Sequence, residues 1–263
     1  MPQSGQERMN PVAVGPNGTV ASKAGNVAEL FDQTHKYLSP RRFDIRIRVE
    51  TVQHFTIGRT FDNILDIGCG DGSLSIPLLE RSQRLTLVDL SRNMLQLAQS
   101  KIPVERTNDV EAINGNVMEQ RLPAHSFDLI LCIGVLAHVD SPGAMIAEIA
   151  RLARPGALVI LEFTDSYHPS GLMVRAYQGL LSLARKPPYA LNRLKRKQIA
   201  GWLAEQHLTV TELFRYGIPH PLRSMMMNQE SMYPWVERRF GRAGANRSPS
   251  LGNEYLYKLT AAQ

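Results

Sequence analysis

From residue 63 onward the chain alternates short apolar runs with amphipathic segments, a rhythm that predicts a parallel sheet covered by helices on both faces. Apolar runs at 63–67, 85–88, 127–133 and 157–163 read as buried strands, with a weaker one at 110–113. Between them lie helical stripes. Ser91 caps a helix over 92–101 with Met94, Leu95, Ala98 and Ile102 inward. Ser141 and Pro142 open another, whose stripe is Met145, Ile146, Ile149, Leu152 and Ala153, ended by Pro155 and Gly156. The segment Leu74 to Glu80 reads as a helix after the first strand. A helix at 198–206, a strand at 208–216 and a last strand at 254–260 resume the pattern.

Two helices precede the first strand. Asn26 would cap one with Val27, Leu30, Phe31 and Leu38 on its apolar face, ended by Pro40. The other, 41–57, carries Ile45, Val49 and Val52 at helical spacing, with Arg41, Arg42, Arg46 and Arg48 around them; packing is its expected role, ahead of contact with a substrate. The organisation that follows is a flexible tail over 1–24 and a single domain over 25–263. Within the domain, 25–60 supplies the N-terminal helices, and 165–197 and 218–252 are insertions that build a cap.

Composition sets outer bounds. A chain of 263 residues with 43% hydrophobic content suits one sizeable core. No apolar run approaches the roughly 18 residues of a membrane span. The tail Met1 to Ala24 lacks an apolar stretch and does not read as a secretory signal. Cys69 and Cys132 sit in unlike settings, a turn and a strand, so a bridge is not expected and a reducing cytoplasm is the default. The net charge of +6 is modest, but 166–204 holds no acid against Arg175, Arg185, Lys186, Arg193, Lys195, Arg196 and Lys197.

The chemistry concentrates where the first strand ends. Asp66 is followed by Gly68, Cys69, Gly70 and Gly72, and the next strand stops at Asp89, about 20 residues past the first glycine. Glycines at such a turn admit positive φ and close approach of a ligand to the backbone. A dinucleotide site wants a third glycine where this chain has Ser73. Further marks are Asp89-Leu-Ser-Arg-Asn-Met94, Gly115-Asn116, the strand entry at Ser126 to Asp128, the exit Leu136-Ala-His-Val139 and Arg154-Pro-Gly156.

Together these resemble the class I S-adenosylmethionine-dependent methyltransferases, over about 26–217. The resemblance implies an α/β, Rossmann-like open sheet, mainly parallel with an antiparallel last strand, and S-adenosyl-L-methionine as cofactor. It implies that Asp66 and the backbone of Gly68, Cys69 and Gly70, with Gly72 completing the turn, hold the methionine end, its carboxylate near a helix N-terminus. Asp89 would accept from the ribose hydroxyls, and Leu90 and Met94 would lie against adenine. Asn116, where the family usually has Asp, would meet the adenine amine, with Val117 N–H beside it. Ile133 and Gly134 would complete the methionine end. Asp66 as a mere capping carboxylate is the plain alternative.

The implied activity is methyl transfer to a small-molecule acceptor on oxygen or nitrogen, with a lipophilic or anionic biosynthetic intermediate as its type. The alternatives are a cofactor-binding relative with non-methyl chemistry and a silent partner subunit. His138, just past the fourth strand, is the candidate base or else a pocket wall; His168 and His220 are weaker candidates. The seven histidines show no metal-ligand spacing, so no metal is expected. No sequence-specific contact with nucleic acid is expected either. Amino-methylating DNA enzymes place an (Asp/Asn)-Pro-Pro-(Tyr/Phe) run where this chain has Ile133-Gly-Val-Leu136, and Lys186-Pro-Pro-Tyr189 is misplaced for it. The stripe and basic cluster over 172–197 fit a solvated face, an anion pocket, or peripheral contact with an anionic membrane. Met225 to Met227, Met232, Tyr233 and Trp235 would give an apolar wall or pack a C-terminal cap.

Overall fold

The apolar runs become strands β1 (Phe61–Ile67), β2 (Ser82–Asp89), β3 (Val110–Asn114), β4 (Phe127–Cys132), β5 (Ala153–Thr164) and β6 (Leu208–Tyr216), a short hairpin of β7 (Gly241–Arg242) and β8 (Ala245–Asn246), and β9 (Glu254–Ala261). The computed structural model describes residues 23–34, 42–169, 172, 190–217 and 229–262. Seven of these strands form one sheet in the order β3-β2-β1-β4-β5-β9-β6. All neighbouring pairs from β3 to β5 are parallel, and β9 runs antiparallel to both β5 and β6. The Rossmann-like sheet with its reversed last strand is therefore as expected.

Register decides what meets at the carboxyl edge. Ile67 pairs with Val88 and Cys132, and Cys132 pairs with Leu161, so the ends of β1, β2 and β4 lie level. Both β5 and β6 run on to Thr164 and Tyr216, each opposite Glu254 at the start of β9. Ligands of open α/β sheets bind along this edge.

The helices are α1 (Lys23–Asp32), α2 (Arg42–Phe55), α3 (Arg92–Gln99), α4 (Pro142–Leu152), α5 (Arg196–Glu205) and α6 (Gln229–Phe240). On one face Ile64, Leu129 and Ile160 pack with Phe43 and Ile47 of α2, Leu95 of α3, and Met232 and Val236 of α6. On the other, Leu65, Ile130 and Val159 pack with Ile146 and Ile149 of α4 and Ile199 and Leu203 of α5. Each such side chain contributes about 1.5–3 kcal/mol by leaving water. Ser91 and Ser141 cap α3 and α4 as their positions predict, accepting from Met94 N and Ala144 N.

Several local expectations are corrected. Leu74 to Glu80 is not an α-helix: bonds from Gly72 N to Cys69 O and from Ile76 N to Gly72 O carry the turn onward, and β2 already begins at Ser82. Only a 3-10 helix over Ile76–Arg81 fits between them. Asn26 lies inside α1 rather than capping it, and Lys23 and Ala24 are helical, not tail. The part of 218–252 that is described is ordered as α6, the hairpin and a 3-10 turn over Pro249–Leu251. Met232 and Tyr233 are buried there against α2, so they pack instead of lining a wall. Residues 1–22, Leu38, Pro40, most of the 172–189 stripe, Lys186 to Tyr189, His220 and Met225 to Met227 lie outside the described residues.

Candidate functional site

The turn after β1 is fastened to β2. Gly68 N and Cys69 N donate to Val88 O at 2.8 and 3.2 Å, and Gly70 N donates to Asp89 Oδ2 at 2.8 Å. Two of its glycines have different reasons to be there. A Cβ on Gly68 would meet Val135 Cγ2 at 2.5 Å, so this glycine serves the approach of the β4 exit loop. At Gly70 (φ +54°) nothing lies within 4 Å, leaving open space for a ligand. Because the N–H groups of Gly68, Cys69 and Gly70 are spent inside the protein, they do not greet a carboxylate. The expected helix N-terminus is missing too: Asp71 occupies that place, paired with Lys101 and with the Ser73 hydroxyl.

Asp66, on the last turn-ward residues of β1, is 1% exposed, and its Oδ2 has no hydrogen-bond partner. Burial pushes its carboxyl up to about 7; the nearby Ser75 hydroxyl pulls it partly back without making a well-directed bond, and the charges of Asp89 and Asp71 push further. An orphaned, buried carboxylate beside an open glycine is a site for a cation, so the residues present fit the ammonium of a methionine moiety.

Asp89 is the hub of the second loop. Its Oδ2 receives Gly70 N, its Oδ1 receives Ser91 N at 2.8 Å, and each oxygen keeps a further lone pair. Burial raises its pKa and these backbone donors oppose the rise. Helix α1 docks beside it: Ser91 Oγ donates to Asp32 Oδ1 at 2.6 Å and Asn93 Nδ2 to Asp32 O at 3.0 Å. Leu90, Asn116 and Gly134 keep accessible surface, whereas Val117 and Ile133 are buried. Asn116 Oδ1 already accepts from Met118 N at 3.1 Å, capping a 3-10 turn. Met94 is completely buried, so its side chain has no surface for adenine. Cys69 is the small buried filler expected of it, its thiol pushed up by burial.

His138 lies in the loop leaving β4, half-buried, with its ring edge against Phe31 at 5.4 Å. That loop is held by Lys23 Nζ on Val139 O at 2.7 Å and by Asn192 Nδ2 on Leu136 O and Val139 O. His168 is elsewhere, its Nε2 2.8 Å from Ser250 O. Among the described residues no group of three His, Cys, Asp or Glu is placed to hold a metal ion.

A second polar cluster sits on the same sheet face as Asp66 and was not read from the sequence. Arg48 of α2 grips Glu162 of β5, Nε to Oε1 at 2.9 Å and Nη2 to Oε2 at 2.8 Å, with 13% and 2% of the side chains exposed. Tyr216 OH donates to Glu162 Oε1 at 3.4 Å, and Thr164 Oγ1 donates to Glu254 Oε2 at 2.7 Å. The Arg48 guanidinium also reaches the methionine end of the expected site: a Cβ on Gly134 would meet its nitrogens at 3.6 and 3.7 Å. The overlooked signal was Glu162, a lone acid in the buried run Ala157 to Phe163.

Known proteins fit this geometry. A family described as "Methyltransferase domain" matches residues 65–161, from β1 into β5. The ubiquinone biosynthesis O-methyltransferase of Idiomarina loihiensis is 28% identical over 158 residues, which is 60% of this chain and 62% of that one, so the match spans under two thirds of the relative's length. The protein of the same name from Dechloromonas aromatica is 29% identical over 194 residues, 73% of this chain and 83% of its own. Among solved structures, a SAM-dependent methyltransferase from Thermotoga maritima, described as a possible histamine N-methyltransferase, superposes with a TM-score of 0.63 at 16% identity, covering 91% of this chain and 99% of that one. That likeness concerns the fold.

Proposed function

We propose, from the premise that this chain is a class I S-adenosylmethionine-dependent methyltransferase, that it methylates an oxygen of a small-molecule acceptor. The observation that carries the reading is the unpartnered, buried Asp66 beside the open space at Gly70, one strand from Asp89. Bound S-adenosylmethionine supplies a methyl group on a positively charged sulfur. The chain's own residues bind, orient and dry the reacting pair. Asp66, with the turn from Gly68 through Gly70 and the Ile133–Gly134 exit, would hold the methionine ammonium end. Asp89 would use its spare lone pairs on ribose hydroxyls. Leu90, Asn116 and Val117 would flank the adenine, with Asn116 keeping one Oδ1 lone pair. Such positioning lowers a barrier by roughly 7–11 kcal/mol.

Oxygen is the favoured target because both relatives described above are O-methyltransferases of ubiquinone biosynthesis. A quinone precursor is in its reduced form a phenol, and a phenol is acidic enough to need only a weak base. His138, edge-on to Phe31, is assigned to the pocket wall in this reading. Silent or non-methyl roles have no specific observation in their favour. A lipophilic acceptor also suits peripheral contact with an anionic bilayer through 172–197. There Arg193, Lys195, Arg196 and Lys197 are all exposed, and so are Leu172 and Leu191. Among the described residues no helix is long and apolar enough to cross a membrane. A cytoplasmic location agrees with two unbridged cysteines.

The test is transfer of a labelled methyl group from S-adenosylmethionine to an alkyl-substituted catechol. Label in a mono-O-methylated product is expected. Label that appears only on amine acceptors offered in parallel contradicts the oxygen assignment.

A further inference from the structure

Glu254 is the first residue of β9 and faces the same side of the sheet as Leu256, the side that carries Asp66 and is covered by α2. Three strands place it. Its Cα lies opposite Thr164 of β5 and opposite Tyr216 of β6, both at the carboxyl edge where the cofactor residues end. Thr164 Oγ1 fixes one carboxylate oxygen, Oε2, at 2.7 Å. The other, Oε1, has no hydrogen-bond partner among the described residues, although protein surrounds the group densely and leaves it only partly accessible. A carboxylate held through one oxygen keeps the lone pairs of the other available to take a proton.

The groups around it are specific. From α2 come Asp44 and Arg48, from β5 Glu162, and from β6 Tyr216. Arg48 is committed to Glu162 on two nitrogens and spans the gap to Gly134. Among the described residues, Arg48 is the cation that holds Glu254 back, and Glu162 and Asp44 are the carboxylates that push it up. Burial and then the Glu162 charge push Glu254 up to about 7, while the Thr164 hydroxyl and Arg48 hold it back. A base whose pKa lies near working pH is the efficient kind for general-base catalysis. Tyr216, buried and raised by the same carboxylates, stays a neutral hydrogen-bond donor.

We propose that Glu254 is the proton acceptor for the acceptor hydroxyl, with Thr164 and the Arg48–Glu162 pair as its positioning residues; the assignment rests on the methyl-transfer reading above. The acceptor O–H bond breaks and its proton goes to Glu254 Oε1. The freed electron pair on oxygen bonds the methyl carbon, and the pair of the breaking C–S bond goes to sulfur, cancelling its positive charge. Glu254 then returns the proton to water.

The experiment measures pH profiles of methyl transfer to an alkyl catechol by wild type, Glu254→Gln, Thr164→Val and His138→Ala, with cofactor binding followed by calorimetry. At saturating S-adenosylmethionine, which takes the pH dependence of cofactor affinity out of the profile, the wild-type rate should rise with pH through about 7. Glu254→Gln should bind the cofactor as wild type does, lose about 10²-fold or more in kcat, and lose that limb. Thr164→Val removes a bond that favours the ionised form, so its limb should move to higher pH. His138→Ala should keep the limb in place. If Glu254→Gln turns over within twofold of wild type, or the limb disappears in His138→Ala instead, the assignment is overturned. If wild type transfers methyl to no hydroxyl at all, the methyl-transfer reading fails and takes the assignment with it.

Discussion

Asp66 is buried with one oxygen unpaired, an arrangement that costs free energy in the cofactor-free protein and is relieved when a cation arrives. Its carboxyl is pushed up to about 7, and a bound ammonium favours the ionised form, lowering that value. On the proposed placement the sign follows: below 7 the cofactor would have to displace a proton to pair with Asp66, and above 7 it would not. Affinity for S-adenosylmethionine should therefore rise between pH 6 and 7.5, by at most about tenfold per pH unit for one released proton, and then flatten. Asp66→Asn should bind more weakly and lose the slope. Calorimetry in two buffers of different ionisation enthalpy checks this, since wild type should release a proton at pH 6 and the variant should not. At this scale the sequence was informative about Asp66 and Asp89, because glycine spacing and strand ends locate them. It could not show that Met94 faces inward or that Asn116 caps a turn, since side-chain direction depends on packing from distant strands. Glu254 and Tyr216 were invisible because β9, from the far end of the chain, must pair between β5 and β6 before they come near Glu162.

Among the elements, α2 bridges the core and the site. Its Phe43 and Ile47 pack on the sheet, while Arg48 reaches the carboxyl edge and Arg46 stacks over the Tyr233 ring at 3.7 Å. Tyr233 OH in turn bonds Glu50, so α6 and α2 are locked together. Helical spacing predicted α2 well, but its arginines all looked alike in sequence; only the fold separates Arg48, inward on Glu162, from Arg46, outward on Glu50. The segment 190–197 has the opposite character. Arg193, Lys195, Arg196 and Lys197 are exposed, and Lys195 Nζ lies 4.3 Å from the Tyr167 ring centre. Near an anionic surface each basic residue contributes about 1 kcal/mol. Co-sedimentation should find the protein on phosphatidylserine vesicles at low salt and not on phosphatidylcholine vesicles. Neutralising the four basic residues should abolish binding without changing cofactor affinity; equal binding to both vesicle types would exclude this surface as the docking site.

For the whole molecule, topology divides the labour. The parallel half, β3-β2-β1-β4, ends in Asp89, Asp66 and Gly134 and suits the cofactor. The half containing β5, β9 and β6 carries Glu162, Glu254 and Tyr216 and suits the acceptor. The first half is read easily from sequence because each βα unit is local. The second requires a reversed strand delivered from the far end of the chain, and its chemistry emerges only on assembly. Asp89 ties the two loops of the cofactor half together through Gly70 N and Ser91 N, so it is the residue whose loss should dismantle that half's function. The direct test is calorimetric titration of the wild-type chain and Asp89→Ala with S-adenosylmethionine, S-adenosylhomocysteine and NAD. Saturable heat with the two sulfur nucleotides, none with NAD, and loss of both signals in Asp89→Ala are predicted. Binding of NAD without either sulfur nucleotide would contradict the account.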